Sequence, residues 1–178
     1  MKKGYILLLL VVLTACHTPT RKPHVDSIAL YDSVYVSADL QWHKQYYPLL
    51  DRQVFSIDLL SDGLSFDSAY HIQGTGLNLF FSDIFLPMNS NTLQDGVYRM
   101  DTTAEANTFL PYQYFEGGNI TGCYMLDIQE SKIQRIIGFT AGELEITSLG
   151  DDIRLNATLY LADSTLYRAT YQGPALYR

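Results

Sequence analysis

Glu143 and Glu145 are the two residues whose types and spacing come nearest to a catalytic pair. On a β-strand, positions i and i+2 project from one face about 7 Å apart, and paired carboxylates at comparable separations cleave glycosidic bonds. The same two residues also alternate with Leu144 and Ile146, which is the pattern of an amphipathic strand with one solvated face. We favour the solvated face over a glycoside hydrolase.

Histidines and nucleotide-binding or nucleophile motifs offer little further chemistry. The four histidines lack the paired spacing and the cysteine partners of a zinc site; they are His17, His24, His43 and His71. The sequence has no Gly-x-Ser-x-Gly nucleophile motif, no phosphate-binding glycine loop and no dinucleotide fingerprint. We therefore predict no metal, no cofactor and no enzymatic activity.

Cys123 falls out of phase with an alternating run formed by Tyr124, Leu126 and Ile128, which favours its exposure on a strand. No histidine or basic residue stands near it in the sequence to activate the thiol. We interpret Cys123 as a structural thiol.

Aromatic residues are in surplus, with 14 Tyr, 8 Phe and 1 Trp. Two clusters fall where loops are expected, at residues 42–48 and 110–118. Tyrosine rings on loops present flat apolar faces with a polar tip, which suit sugars, peptides and protein partners. The candidate binding residues are Tyr46, Tyr47, Tyr112 and Tyr114, with simple loop packing as the alternative. Trp42 is in phase with inward-facing residues and is assigned to the core.

The N-terminus has two lysines, a short apolar run at residues 6–13, and small residues before Cys16. That run is too short to cross a bilayer as a helix, and the pattern is typical of a secretory signal. The segment Leu13-Thr14-Ala15-Cys16 resembles the lipobox of bacterial lipoproteins. The resemblance implies that a diacylglycerol is attached to Cys16, which anchors the protein to a membrane. Ordinary cleavage after Ala15, leaving a free thiol, is the alternative.

This N-terminus predicts three parts: a signal peptide at 1–15, a lipidated tether at 16–26 and a single β domain at 27–178. Removing the signal takes away two of the 12 basic residues and none of the 19 acidic ones, so the net charge changes from −7 to 10 − 19 = −9. This balance argues against nucleic acid, whose phosphates are met by clustered Lys and Arg. With Cys16 lipidated, Cys123 is the one remaining cysteine, and no intramolecular disulfide can form.

From residue 27 onward, apolar residues recur with the period of two that is typical of β-strands. The first run, at 28–42, is interrupted by Asp32, and its length predicts a bulge or bend there. In this phase Ser33 and Tyr35 face outward. Further strands are predicted at 55–59, 77–81 and 124–128.

The C-terminal third gives the clearest alternation. Runs at 143–147, 153–161 and 166–171 are separated by turn residues at Gly150-Asp151 and Asp163-Ser164, which predicts an antiparallel meander. No stretch after the signal has ten or more residues of helical period. We therefore predict an all-β fold, either an antiparallel β-sandwich or a flattened barrel.

Short motifs in the second half include Asp95-Gly96-Val97-Tyr98, Gly142-Glu143-Leu144-Glu145-Ile146 and Tyr171-Gln172-Gly173-Pro174-Ala175-Leu176. They resemble small, mostly uncharacterised all-β envelope lipoproteins of Bacteroides-like bacteria. The resemblance spans residues 95–178, implies an outer-membrane lipoprotein and carries over no catalytic residue. Surface-exported lipoproteins of such bacteria usually carry acidic residues just after the lipidated cysteine. Here the first acid is Asp26, so we predict a lipid-anchored protein that faces the periplasm.

Five Asp-(Ser/Thr)-apolar or Asp-(Ser/Thr)-Thr triplets resemble the O-glycosylation motif of exported Bacteroides-like proteins, whereas random order would give about one. The predicted glycosylation sites are Ser27, Ser33, Ser68, Thr102 and Ser164, of which at least four should be accessible. A glycan needs a solvated site. The alternative is that these pairs are turns and caps that bond their own backbone.

Together these features predict a non-enzymatic envelope lipoprotein that binds a glycan or a protein partner of the cell envelope. One alternative is a lipocalin-like carrier of an apolar small molecule, and a glycoside hydrolase is another. A carrier requires an apolar cavity of at least a few hundred Å³, whereas a sandwich core is filled to near-crystalline density.

Overall fold

The computed structural model of the protein describes residues 30–42, 53–87, 90 and 92–177. Within these ranges it has strands and turns and no helix, which confirms the all-β prediction. The strands are β1 (Leu30–Trp42), β2 (Gln53–Ser61), β3 (Leu64–Phe66), β4 (Ile72–Gly74), β5 (Gly76–Leu86), β6 (Gly96–Met100), β7 (Thr108–Phe109), β8 (Gln113–Tyr114), β9 (Ile120–Thr121), β10 (Cys123–Gln129), β11 (Lys132–Gly138), β12 (Ala141–Leu149), β13 (Asp152–Tyr160) and β14 (Leu166–Tyr177).

Ten strands form one sheet in the order β11-β10-β5-β2-β1-β14-β13-β12-β6-β7. The short β7 pairs with β6 on one side and with β5 on the other, so the sheet curls back towards itself as a half-barrel. Two small sheets, β3-β4 and β8-β9, complete the described fold. Of the two predicted architectures, this one lies nearer the flattened barrel, and the sandwich is not confirmed.

The C-terminal meander is confirmed: β12 pairs antiparallel with β13, and β13 with β14. The sheet is nevertheless mixed, because β1 pairs parallel with β14 and β6 parallel with β7. A parallel pair cannot be joined by a tight turn, and β1 and β14 are separated by nearly the whole domain. Periodicity within each strand carries no information on such a distant partner, so the sequence analysis did not predict these two parallel pairs.

The bulge in β1 lies further along the strand than predicted. The register of β1 shifts between Tyr35 and Ala38 against β14, not at Asp32. An inserted residue reverses the alternation, so Tyr35 is buried before the bulge, and Ala38 and Leu40 are buried after it. The prediction that Tyr35 faces outward was therefore wrong.

Buried apolar side chains form two clusters. The larger, which we call the concave core, lies inside the curl and draws on both ends of the sheet. The smaller, the outer cluster, consists of Leu60, Leu64, Tyr124, Leu126 and Ile128, with partly buried residues of the small sheets packed on it.

Strand β10 separates these two clusters and is buried on both faces. Cys123 and Met125 belong to the concave core, whereas Tyr124, Leu126 and Ile128 belong to the outer cluster. Cys123 is therefore fully buried, and the expectation that it is exposed was wrong. Alternation indicates one solvated face only when nothing else covers that face, and here the two small sheets do.

Candidate functional site

A cavity of about 530 Å³ opens at the end of the half-barrel where β1 and β14 begin. Its walls come from β1, β5, β10, β11 and β14, together with the segments that follow β11 and β13. The lining residues are Ser33, Leu77, Met125, Arg135, Ile137, Phe139, Leu161, Asp163, Thr165 and Tyr167. A volume of this size lies within the range of small-molecule sites, which is about 300–1,000 Å³.

One wall of the cavity is apolar. Met125 and Phe139 are buried in the concave core, and Leu77, Ile137 and Leu161 are partly buried against it. Together the five side chains form the kind of surface that an alkyl chain or a ring could cover.

Backbone hydrogen bonds and a close ring contact fix the polypeptide behind this wall. The Tyr112 N–H donates to the Phe139 carbonyl oxygen at 3.0 Å, and the Phe139 N–H donates to the Cys123 carbonyl oxygen at 3.1 Å. A Cβ atom added to Gly138 would lie 2.3 Å from the Tyr112 ring. Glycine at this position therefore lets the ring of Tyr112 press against the wall from outside.

Ser33 and Tyr167 line the inner end of the cavity, and the buried Tyr35 lies behind them. The Tyr35 and Tyr167 hydroxyl oxygens are 2.6 Å apart, and Ser33 hydrogen-bonds to Tyr167. The Tyr35 hydroxyl also lies 3.8 Å from the Met125 Sδ, so its one hydrogen can go either to this sulfur or to the Tyr167 oxygen. Burial raises the pKa of Tyr35 and of Tyr167, although the hydrogen bonds from Ser33 and Tyr35 partly lower that of Tyr167. Both tyrosines are therefore neutral phenols at physiological pH.

The rim of the cavity carries charge. The Arg135 Nη2 is 3.5 Å from the Asp127 Oδ2, which lies opposite it on β10. The Asp163 Oδ1 accepts the Thr165 N–H at 2.9 Å within the β13–β14 turn. This backbone hydrogen bond lowers the pKa of Asp163. Arg135 is the one basic side chain among the described residues that line the cavity.

The two described residues of the predicted aromatic site, Tyr112 and Tyr114, do not line this cavity. Tyr112 is half-buried with its ring centroid 6.3 Å from that of Tyr124, so it packs on the outer cluster. Tyr114, in contrast, is 66% exposed, and its neighbour Phe115 is 48% exposed. Tyr46 and Tyr47 lie outside the described residues, as does the side chain of Trp42.

The predicted glycosylation sites fall into three groups. Ser68, Thr102 and Ser164 are exposed, Ser27 lies outside the described residues, and Ser33 is half-buried on the cavity wall. Ser33 was expected to face outward, but it shares the inward phase of Tyr35 before the bulge, so that expectation was wrong.

The three exposed sites share one local geometry. Their preceding aspartates, Asp67, Asp101 and Asp163, each accept the backbone N–H two residues later, at 2.8, 2.7 and 2.9 Å. Such turns are the structural alternative raised by the sequence, and they also present the intervening hydroxyl to solvent. Backbone hydrogen bonds lower the pKa of all three carboxyl groups.

Glu143 and Glu145, the pair considered for catalysis, bond to other side chains away from the cavity. The Glu143 Oε1 is paired with the Arg99 Nε at 2.9 Å, and the Glu145 Oε2 accepts from Asn156 at 3.3 Å, all on an exposed face of the sheet. This is the solvated face that the alternation with Leu144 and Ile146 favours. Burial raises the pKa of Cys123 well above its ordinary value, which opposes thiolate formation.

Comparison of the chain with protein-family models, curated proteins and solved structures gives no match. Within the part of the chain that the structure describes, no group of His, Cys, Asp or Glu could hold a metal ion. The same part contains no helix long and apolar enough to span a membrane.

Sequence reasoning missed the cavity residues Arg135, Tyr167 and Ser33. Strand β11, which contributes Arg135, contains a register shift opposite Asp127 and Ile128, so its alternation is broken. The one available signal was Arg135 itself, a charge next to the apolar pair Ile136 and Ile137 in the run 132–138.

Proposed function

We propose that the protein is a non-enzymatic binding protein of the bacterial envelope that holds a small amphipathic molecule in the cavity. This adopts the carrier alternative of the sequence analysis rather than the glycan-binding one. The observation that carries it is the cavity of about 530 Å³, which has the size that a carrier requires and is apolar on one wall. Its apolar wall supplies contact area, and its few polar groups supply orientation.

The contrast with the rest of the interior supports this proposal. Elsewhere the concave core includes fully buried large side chains such as Tyr98, Phe81 and Phe109. Protein interiors are normally packed with few voids larger than a water molecule. The cavity at one end is instead partly open to solvent, so a ligand can enter it from outside.

The test is equilibrium dialysis of the full-length protein in lipid nanodiscs against radiolabelled 1-decanol, with empty nanodiscs as the blank. Ile137→Trp should fill part of the cavity and weaken specific binding at least about tenfold, as expected when ligand and side chain compete for one volume. Ile136→Trp is the matched control, because Ile136 is exposed and does not line the cavity. Equal binding by the wild type and both variants would contradict the proposal.

A second candidate function is recognition of a glycan or an envelope protein by the exposed pair Tyr114 and Phe115. Their exposure at the β8–β9 turn is the specific observation in its favour. The double variant Tyr114→Ala/Phe115→Ala should lose any glycan-array or pull-down signal of the wild type and retain decanol binding. Retention of the array signal by the variant would remove this candidate.

We also propose that Cys16 carries the lipid anchor and that the domain faces the periplasm from the outer membrane. Cys16→Ala should leave an unprocessed precursor that incorporates no labelled fatty acid, whereas Cys123→Ser should label like the wild type. Equal labelling of Cys16→Ala and the wild type would disprove the anchor. Efficient release of domain fragments from intact cells by added protease would disprove the periplasmic orientation.

Glycosylation at two or more of Ser27, Ser68, Thr102 and Ser164 is a separate proposal. The exposure of the last three at turns supports it, and a bulky sugar requires such sites. Intact mass spectrometry of the protein from its own host should show hexose-sized increments above polypeptide plus lipid. A mass without increments would leave the turns as purely structural features.

A further inference from the structure

The two charged residues at the cavity rim, Arg135 and Asp163, differ in how many of their hydrogen-bonding groups already have a partner. Arg135 contacts Asp127 at 3.5 Å, which is longer than the 2.7–2.9 Å of a good charge-assisted hydrogen bond. Its guanidinium has five N–H donors, so most remain for a ligand in the cavity that it lines. Asp163 instead uses one carboxylate oxygen to hold its own turn, and its side chain is exposed to solvent.

The inner end of the cavity requires no polar group from a ligand. The Tyr167 hydroxyl hydrogen-bonds to those of both Tyr35 and Ser33, and the Tyr35 hydroxyl also lies within reach of the Met125 Sδ. An apolar group can lie against this satisfied network without leaving a buried donor or acceptor unpaired. A matching ligand is therefore apolar where it meets the inner end and polar where it meets the rim.

We infer that the ligand is a single-tailed carboxylate amphiphile of the fatty-acid type, bound with its chain inside and its carboxylate on Arg135. The chain lies along Met125, Ile137 and Phe139, and the planar guanidinium fork matches the two carboxylate oxygens. This inference rests on the proposed function, because it names the ligand class of the same cavity.

The experiment compares radiolabelled decanoate with 1-decanol and decyltrimethylammonium in the nanodisc dialysis. The three probes share a ten-carbon chain and differ in head-group charge. Wild-type protein should bind decanoate about tenfold more tightly than decanol, and decyltrimethylammonium most weakly. Arg135→Gln should weaken decanoate binding about tenfold and leave decanol unchanged, since Arg135 is largely exposed and its contribution is moderated by solvent.

Two further variants keep the test independent of any folding defect in Arg135→Gln. Arg135→Lys keeps the charge and loses the fork, so decanoate binding should fall between the wild type and Arg135→Gln. Asp163→Asn keeps an oxygen acceptor for the Thr165 N–H and removes a negative charge from the rim, so it should tighten decanoate binding by up to about twofold.

The outcomes separate this inference from the proposed function. If Ile137→Trp weakens decanol binding but decanoate binds no better than decanol, the cavity binds ligands and the carboxylate assignment is wrong. Equal losses of decanoate and decanol in Arg135→Gln would overturn it in the same way. If Ile137→Trp changes the binding of no probe, the proposed function fails, and this inference fails with it.

Discussion

The two ends of the half-barrel contain the same residue types and use them differently. At the end formed by β6, β7 and the close of β5, Phe109 packs edge-on against Phe81 with ring centroids 5.3 Å apart. Tyr98 is fully buried there, and its hydroxyl donates to the Gln94 carbonyl oxygen at 2.9 Å. At the other end, the aromatic rings of Phe139 and Tyr167 instead border an open cavity. Aromatic content therefore indicates where a core can form, and strand geometry decides whether it is filled.

The largest expected effect is at the filled end. Phe109→Ala should lower the free energy of unfolding by about 3–5 kcal/mol, because it removes a fully buried ring and leaves a void. Phe109 is one of the two residues of β7, the strand that pairs with both β6 and β5. Equilibrium urea unfolding measures the loss. A cost below about 1 kcal/mol, comparable to that of a surface substitution, would show that the two ends do not differ in packing.

Substitutions in the wall of the cavity should destabilise the fold even though the cavity itself is open. Gly138→Ala should destabilise by about 1–3 kcal/mol, because the new Cβ would meet the Tyr112 ring at 2.3 Å. It should also weaken decanol binding if Phe139 is displaced. The control is Thr140→Ala, a substitution at an exposed residue near the same wall. A second glycine, Gly117, is unsuitable as a control because its φ is positive and alanine there would be strained. Unchanged unfolding in Gly138→Ala would mean that Tyr112 moves freely.

The sequence predicted one part of this comparison well and the other poorly. Period-two alternation and the turn at Gly150-Asp151 were sufficient for the meander, because adjacent strands pair through local turns. The cavity depends instead on the bulge after Tyr35, the parallel pairing of β1 with β14 and the covering of β10 on both faces. Each of these is set by contacts between distant segments, so local patterning placed Ser33 and Cys123 on the wrong side.

The hydroxyl network should contribute a smaller effect than the packed rings. Tyr35→Phe removes one hydroxyl from a buried pair and leaves Tyr167 with a hydrogen-bonding site unfilled, which should cost about 1–2 kcal/mol in unfolding free energy. Tyr160→Phe, at a half-buried tyrosine of β13, is the control. If Tyr35→Phe were neutral, water or Ser33 would be replacing the lost partner, and the inner end would be wetter than the hydrogen-bonded network implies.

The smallest effect concerns the turn at the rim; it is present at neutral pH and is lost in acid. The Thr165 N–H bond holds the pKa of Asp163 below its ordinary value of 3.8. A group with a lowered folded-state pKa contributes stability above the unfolded value, and that contribution is lost as pH falls through the folded value. The wild type should therefore exceed Asp163→Asn in melting temperature at pH 7, and the difference should shrink below about pH 4.

Asp163→Ala, which loses the acceptor as well, should stay below Asp163→Asn by an amount that does not depend on pH. Thermal unfolding from pH 7 to pH 2 measures all three proteins. A wild-type advantage over Asp163→Asn that persists unchanged at pH 2 would mean that charge on this carboxylate does not stabilise the turn, and the rim would then owe its shape to the backbone alone.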